Sequence, residues 1–381
     1  MKKILAALAF FTSQLILAQV DYEFTSSGDR FKKAYDHLFK EEYSAAFEYF
    51  DKVNPSDTLY DLVRFNKLVY QYTGNYYKGV VETGDEIIAD ESVYSTEAYY
   101  YKIKALIDLR KYEEAQKNIE IAKNKFPLFF KYDYLKAIMF KDKGEFEKAK
   151  NQLHNVLKRH PKHSQSHYEL AKIMADEAAE TEAILGFQMA IISNRNSSVL
   201  QKSFVGMEDV MQNNFEVTRS KDDNKLFKQV NGFISSEIGL KDGYKAEIEL
   251  KYFSNNVTDL LFQQLSHKEK SGDFTMEYYG RFFNEVKKKN LSKGYTLYLL
   301  GVINNPAVQK YVSAFKTEIN AFEKFQKKYW NNLANQNKLE IKGKIYNREY
   351  QSDDAGTITA VGKLNNKEER VICTLHFALC T

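Results

Sequence analysis

Residues 111–127, KYEEAQKNIEIAKNKFP, and residues 145–161, EFEKAKNQLHNVLKRHP, are two copies of one pattern set 34 residues apart. The same step relates Tyr112, Phe146 and Glu180, then Ala115, Ala149 and Ala183, then Ile119, Leu153 and Phe187, then Ala122, Val156 and Ala190. The offsets inside a copy place the small residue, the bulky residue four later and the next small or β-branched one on a single helical face. Pro127 and Pro161 end the helices, and Gly144 marks a turn. A fixed period of this length predicts a solenoid of helix hairpins, each hiding its apolar face by stacking on the next. Such surfaces bind other chains and seldom perform chemistry.

Moving outward, Lys111-Tyr112-Glu113-Glu114-Ala115 and Gly144-Glu145-Phe146-Glu147-Lys148-Ala149 resemble the tetratricopeptide repeat, as do Leu170-Ala171 and the closing prolines. Two earlier copies are looser: Tyr43, Ala46 and Phe50, then Gly74-Asn75-Tyr76 with Gly79 in the small slot. On that alignment the small residues are spaced 33 and then 36, which predicts a short insertion between the second and third copies, near residues 89–94. The fifth copy carries Glu180 in place of an aromatic and Arg195 in place of Pro, so it reads as a terminal unit.

The resemblance implies that the first helices of successive units line a concave groove. Its groove positions fall on Tyr100 and Lys104, Tyr134 and Ile138, and Tyr168 and Lys172. A tyrosine row offers apolar area with a hydrogen-bonding tip, which suits peptide recognition; helix-to-helix packing is the competing reading of the same row. Members of the family that capture a terminal carboxylate use Asn and Lys there. No Asn occupies these positions, so that mode is not expected.

The chain has 381 residues, 44% hydrophobic and 28% charged, with 27 Tyr, 27 Phe, one Trp and four Pro. Its net charge of +4 is too small and dispersed for a nucleic-acid footprint. Met1-Lys2-Lys3, the apolar run from Ile4 to Leu17 and the small Ala18 read as a signal peptide cut near Ala18–Gln19. No Cys follows it, and no later stretch is long and apolar enough to span a bilayer. The expected address is the periplasm, the exterior or the outer membrane. The leader ending in Ala-Gln resembles those of Bacteroidetes cell-envelope proteins.

The expected fold is mainly α: a leader over 1–18, the repeat solenoid over 19–196, a mostly helical region with one strand over 197–335, and a β segment over 336–381. The last two form a C-terminal α+β module ending in a β-hairpin. Residues 245–253 alternate charged and apolar like a half-buried strand. Helical stretches surround it at 226–238, 257–266, 276–288 and 295–302. Asn305-Pro306 opens what reads as one long helix, with Val308, Val312, Phe315, Ile319, Phe322, Tyr329 and Leu333 along one stripe. That stripe fits a core face, and also self-association through a coiled-coil seam over 306–334. Strands are expected around Leu339–Ile345, Thr357–Leu364 and Arg370–Leu379, with a turn at Asn365-Asn366.

His154, His160, His163 and His167 cluster in sequence at a repeat junction and read as solvent-exposed, not as metal ligands. Nucleophile elbows, phosphate-binding glycine loops, metalloprotease His pairs and paired-Cys motifs are missing from the sequence. Neither cofactor, metal nor catalytic residue is expected. Cys373 and Cys380 suit a disulfide in an oxidising compartment. On one straight strand, though, they would lie ~23 Å apart, so a bridge needs a turn between them, and two free thiols are the other reading. The functional expectation is an exported, non-enzymatic scaffold holding a protein or peptide in the groove through Tyr100, Lys104, Tyr134, Tyr168 and Lys172. The alternatives are an enzyme in residues 197–381, with His267 or His376 in a polar pocket, and glycan capture at the envelope.

Overall fold

The computed structural model describes residues 26–195, 197–213, 274–302, 306–336, 339–341, 344–352, 358–364 and 367–371. The leader, the 245–253 strand, the helices at 226–238 and 257–266, His267, His376 and both cysteines lie outside the described residues. The chain divides into two compact units, 1–126 and 127–381.

Unit one contains α1 (Ser27–Leu38), α2 (Tyr43–Asp51), α3 (Tyr60–Thr73), α4 (Tyr77–Ala89), α5 (Ser95–Asp108) and α6 (Tyr112–Lys125). Unit two continues with α7 (Lys131–Asp142), α8 (Phe146–Arg159), α9 (Ser164–Asp176), α10 (Glu180–Ser193) and α11 (Leu200–Asn213). After the undescribed stretch a π-turn, Thr275–Gly280, runs into α12 (Arg281–Lys288), followed by α13 (Ser292–Leu300), α14 (Pro306–Ser313) and α15 (Lys316–Gln336). The molecule is mainly helical. Within each unit consecutive helices pack as hairpins, as in an α-solenoid.

One local device makes the hairpins. Glu41, Asn75, Arg110, Gly144, Ala178 and Asn290 all take positive φ, between 53° and 75°. One residue further on, each turn closes a six-residue hydrogen bond, such as Lys111 N–H to Leu106 O at 2.8 Å and Glu145 N–H to Phe140 O at 2.9 Å. Those bonds satisfy carbonyls that the helix end leaves open. Only Gly144 takes the left-handed turn without a steric cost; each of the other five side chains pays roughly 1 kcal/mol for it.

The turns also fix the alignment of the copies. The second helices start at Tyr43, Tyr77, Tyr112, Phe146 and Glu180, giving steps of 34, 35, 34 and 34. Five residues past each left-handed residue lie Ala46, Val80, Ala115, Ala149 and Ala183, all 0% exposed. Val80, not Gly79, therefore fills the small slot of the second copy, and the insertion is one residue. It falls between Tyr77 and Tyr112, where α4 ends in an additional left-handed residue, Glu91. The hairpin of α12 and α13 repeats the turn at Asn290, but Tyr295, 0% exposed, stands in the small slot.

Besides the buried Ile103, Leu106, Ile119 and Ala122, unit one holds two small clusters. Ala34, Ala46, Phe50, Val53 and Val63 form one, and Leu68, Val80, Ile87, Ala98 and Ala105 the other. Unit two has one large core, in which Leu153, Leu170, Ile184 and Phe187 meet Tyr279, Phe282, Tyr295, Phe322 and Trp330. All of α10, from Glu180 to Ser193, is buried. The second helix of the fifth copy lacks a polar face in sequence and is covered on every side. The core also runs across residue 196, where the periodicity stops.

The stripe from Val308 to Leu333 does not lie on one helix. The chain breaks at Ala314-Phe315, between α14 and α15. Val308 and Val312 pack with Leu297 and Leu300, whereas Phe322 and Trp330 enter the main core. Helix α13 is buried from Gly294 to Leu300, and one straight helix cannot cover two of its sides. A Cβ on Gly294 would sit 2.3 Å from Glu318 O, so α13 and α15 touch backbone to backbone. The tail forms four strands: β1 (Leu339–Ile341), β2 (Lys344–Ser352), β3 (Ile358–Leu364) and β4 (Lys367–Val371). They pair in the order β1-β2-β3-β4, each pair antiparallel, with Tyr350 opposite Ala360 and Gly362 opposite Glu369.

Candidate binding surface

The turn-based alignment locates a position ten residues before each left-handed residue: Phe31, Phe65, Tyr100, Tyr134 and Tyr168. It is aromatic in all five copies, and each of the five rings is half-buried. Sequence reasoning reached only the last three. Phe65 carries the same signal, but aligning on Gly79 points to Arg64 in its place; Phe31 stands 15 residues before Ala46, as Tyr100 does before Ala115, and was legible there.

In unit one, Phe31 tilts against Tyr35 at 4.8 Å and Phe65 stacks on Tyr94 at 4.6 Å, 3° from parallel. Tyr100 meets Tyr101 edge-on at 5.5 Å. Tyr101 lies 5.6 Å from Tyr72, and the Lys104 ammonium sits 4.2 Å over the Tyr72 ring. The Tyr72 hydroxyl donates to Asp108 at 2.5 Å. Burial raises the phenol pKa of Tyr72 and Tyr100, and the Asp108 carboxylate adds to the effect on Tyr72. Both hydroxyls therefore remain protonated donors at ordinary pH. Arg64, which is 7% exposed, is held by Asp61 at 2.9 Å and Asp90 at 2.5 Å.

In unit two, Tyr134 meets His163 edge-on at 4.9 Å and Tyr168 tilts against Phe187 at 5.9 Å. Lys172 is exposed, its ammonium 5.6 Å from the Tyr168 ring. Beside them Lys141 pairs with Glu169. Tyr134 and Tyr168 lean on the main core with part of each ring accessible. Packing and display are both features of the same residues.

The histidines differ from expectation. None is solvent-exposed: His154 and His160 are half-buried, stacked on Phe274 at 3.8 Å and on Phe130 at 3.7 Å. His163 meets Ser166 Oγ at 2.8 Å, and His167 is 0% exposed. Aromatic partners far along the chain, invisible to a local reading, cover them. Burial lowers the His167 pKa to about 4, opposed by the Pro161 carbonyl. Burial also lowers His163, aided by Lys131 and His167, although part of that ring is accessible and the weight rests on His167. Among the described residues, no three His, Cys, Asp or Glu side chains converge as a metal site, and no helix is long and apolar enough to cross a membrane. The chemistry these side chains offer is ring stacking, neutral hydroxyl donation and cation–π contact.

No protein-family model matches the chain, and no curated protein matches it.

Proposed function

We propose that this chain is an exported, non-enzymatic interaction scaffold of the tetratricopeptide-repeat type, binding a peptide or protein partner across the first helices of its hairpins. The observation that carries the reading is the aromatic position kept in step with the turn through five copies. Phe31, Phe65 and Tyr100 with Lys104 supply it in unit one, and Tyr134 and Tyr168 with Lys172 in unit two. Half-buried rings have little side-chain freedom left to lose on binding, which favours recognition. The helices after α11 and the four-stranded sheet act as a C-terminal α+β module that closes the repeat series. In support, that series could not end on α10, whose sequence leaves no side fit for water. The leader directs the protein to the cell envelope, where its partner is found.

The test is capture of envelope proteins and titration of the captured partner. Wild type is compared with Tyr134→Ala plus Tyr168→Ala, and with Lys172→Glu, each checked for native far-UV circular dichroism. Loss of affinity in the double variant and a smaller loss in Lys172→Glu are expected. An unchanged partner set with unchanged affinity in both overturns the groove assignment.

A further inference from the structure

His167 lies where the last helix hairpin meets the π-turn, and its hydrogen bonds have a fixed direction. Its Nε2 is 2.9 Å from Pro161 O. A carbonyl only accepts, so Nε2 carries the proton. Nδ1 then holds a lone pair, and it faces the Tyr279 hydroxyl at 2.9 Å as acceptor. Both side chains are 0% exposed, and the two residues are 112 apart in the chain. The neutral ring satisfies every polar atom of this small network.

We propose that the His167–Tyr279 pair is a proton-operated latch, in which protonation of Nδ1 sets a donor against a donor and frees the π-turn helix from the last hairpin. To accept from the imidazolium, the Tyr279 hydroxyl must turn its own hydrogen away from Nδ1, and among the described residues no other acceptor meets it. The element on the far side is a suitable moving part, because π-turns are rare and recur at functional sites. Two contacts open with it: Tyr278 Oη donating to Leu157 O at 3.1 Å, and the Phe274 stack on His154.

The titratable groups facing the pair are few. From the π-turn they are Tyr278 and Tyr279, with rings 6.2 and 5.5 Å from the His167 ring. From its own helix it is His163. From α8 they are His154 and, acting on it, Lys158. Glu180 and Glu182 of α10 lie toward the other end of the α9–α10 hairpin, roughly 10 Å or more along the axis. Glu277 on the π-turn is exposed, and among the described residues no carboxylate acts on the His167 ring.

The sign follows from burial. In the closed state the His167 pKa is about 4, and in water it returns to the ordinary 6.5. The open state binds the proton more readily, so acid favours opening between pH 6.5 and 4, and the latch is fully shut above pH 6.5. Those two values give an opening constant about 20-fold larger at pH 5 than at pH 7.

Amide hydrogen exchange over residues 275–288 of the full chain, corrected for intrinsic rates, tests this. Protection in the wild type is expected to fall about 20-fold from pH 7 to pH 5. His167→Gln, which keeps a neutral donor for Pro161 O, should show no such fall, while His163→Gln should behave as wild type. A wild type insensitive to pH overturns the latch, as does a dependence that survives in His167→Gln or vanishes in His163→Gln. Should His167→Gln not fold, 15N chemical shifts of the wild-type imidazole decide. A neutral Nε2–H tautomer at pH 7 supports the latch, and an Nδ1–H or charged ring refutes it.

Discussion

Unit one and unit two use the same hairpin turn but are held together differently. In unit one the cores are small and local, and a long-reaching side-chain bond, Tyr72 to Asp108, spans 36 residues, close to one repeat. In unit two the bonds Gln188–Tyr295, Arg195–Tyr298, His167–Tyr279 and Leu157–Tyr278 span 107, 103, 112 and 121 residues. Nearest-neighbour stacking suffices for the first; the second depends on a distant part of the chain returning to cover α10. The stability of unit one should behave as a sum over neighbouring hairpins, and that of unit two as one cooperative block.

The largest effect should come from Phe322→Ala, which removes a 0%-exposed ring packed against Phe282, Tyr295 and Tyr298. A loss of roughly 3–5 kcal/mol is expected for such a truncation. Trp330, the sole tryptophan, belongs to the unit-two core, so its fluorescence reports that unit alone. Its unfolding midpoint should drop while a helical signal from unit one persists. Simultaneous loss of both signals would break the comparison.

Gly294→Ala should come next, at about 1–3 kcal/mol for overpacking, because the new Cβ meets Glu318 backbone that cannot rotate away. Urea melts followed at Trp330 measure it, and a neutral result would show that α13 and α15 can separate.

Acid should act on unit two in the same range. His167 has a lowered pKa in the folded state, so its contribution is complete above pH 6.5 and is lost as pH falls toward about 4. At pH 5 the loss is about 2 kcal/mol. Trp330 melts across pH 7 to 4.5, with His167→Gln as control, read it out.

The smallest change expected is a gain. Arg110→Gly in unit one and Ala178→Gly in unit two relieve left-handed side chains at φ 58° and 57°. Each should stabilise its own unit by about 1 kcal/mol at most, since added freedom of the unfolded chain offsets part of the relief. Equal gains in both units would confirm that the turn is the shared element.

What could be read in the chain divides along the same line. Ala115, Ala149 and Ala183 were legible because the inward face of one helix recurs at three- and four-residue offsets, a local pattern repeated in each copy. Gly79 misled because two small-slot candidates were adjacent and only the backbone turn at Asn75 distinguishes them. The aromatic row was legible at Tyr100, Tyr134 and Tyr168, and equally at Phe31 once Ala46 is aligned, but obscured at Phe65 for the same reason. The histidines misled because Phe130, Phe274 and Tyr279 are not their neighbours in sequence.

By itself, then, the order of residues determined the hairpin, its period and which face of each helix turns inward. Those follow from helix geometry and from the preference of small residues for tight crossings, both short-range effects. Tertiary structure alone decided that α10 lies at the centre of a core, that the 306–334 stripe folds into two helices, and that His167 meets Tyr279. Such pairings depend on which apolar surfaces remain unburied after the local structure has formed, and no local pattern encodes that remainder.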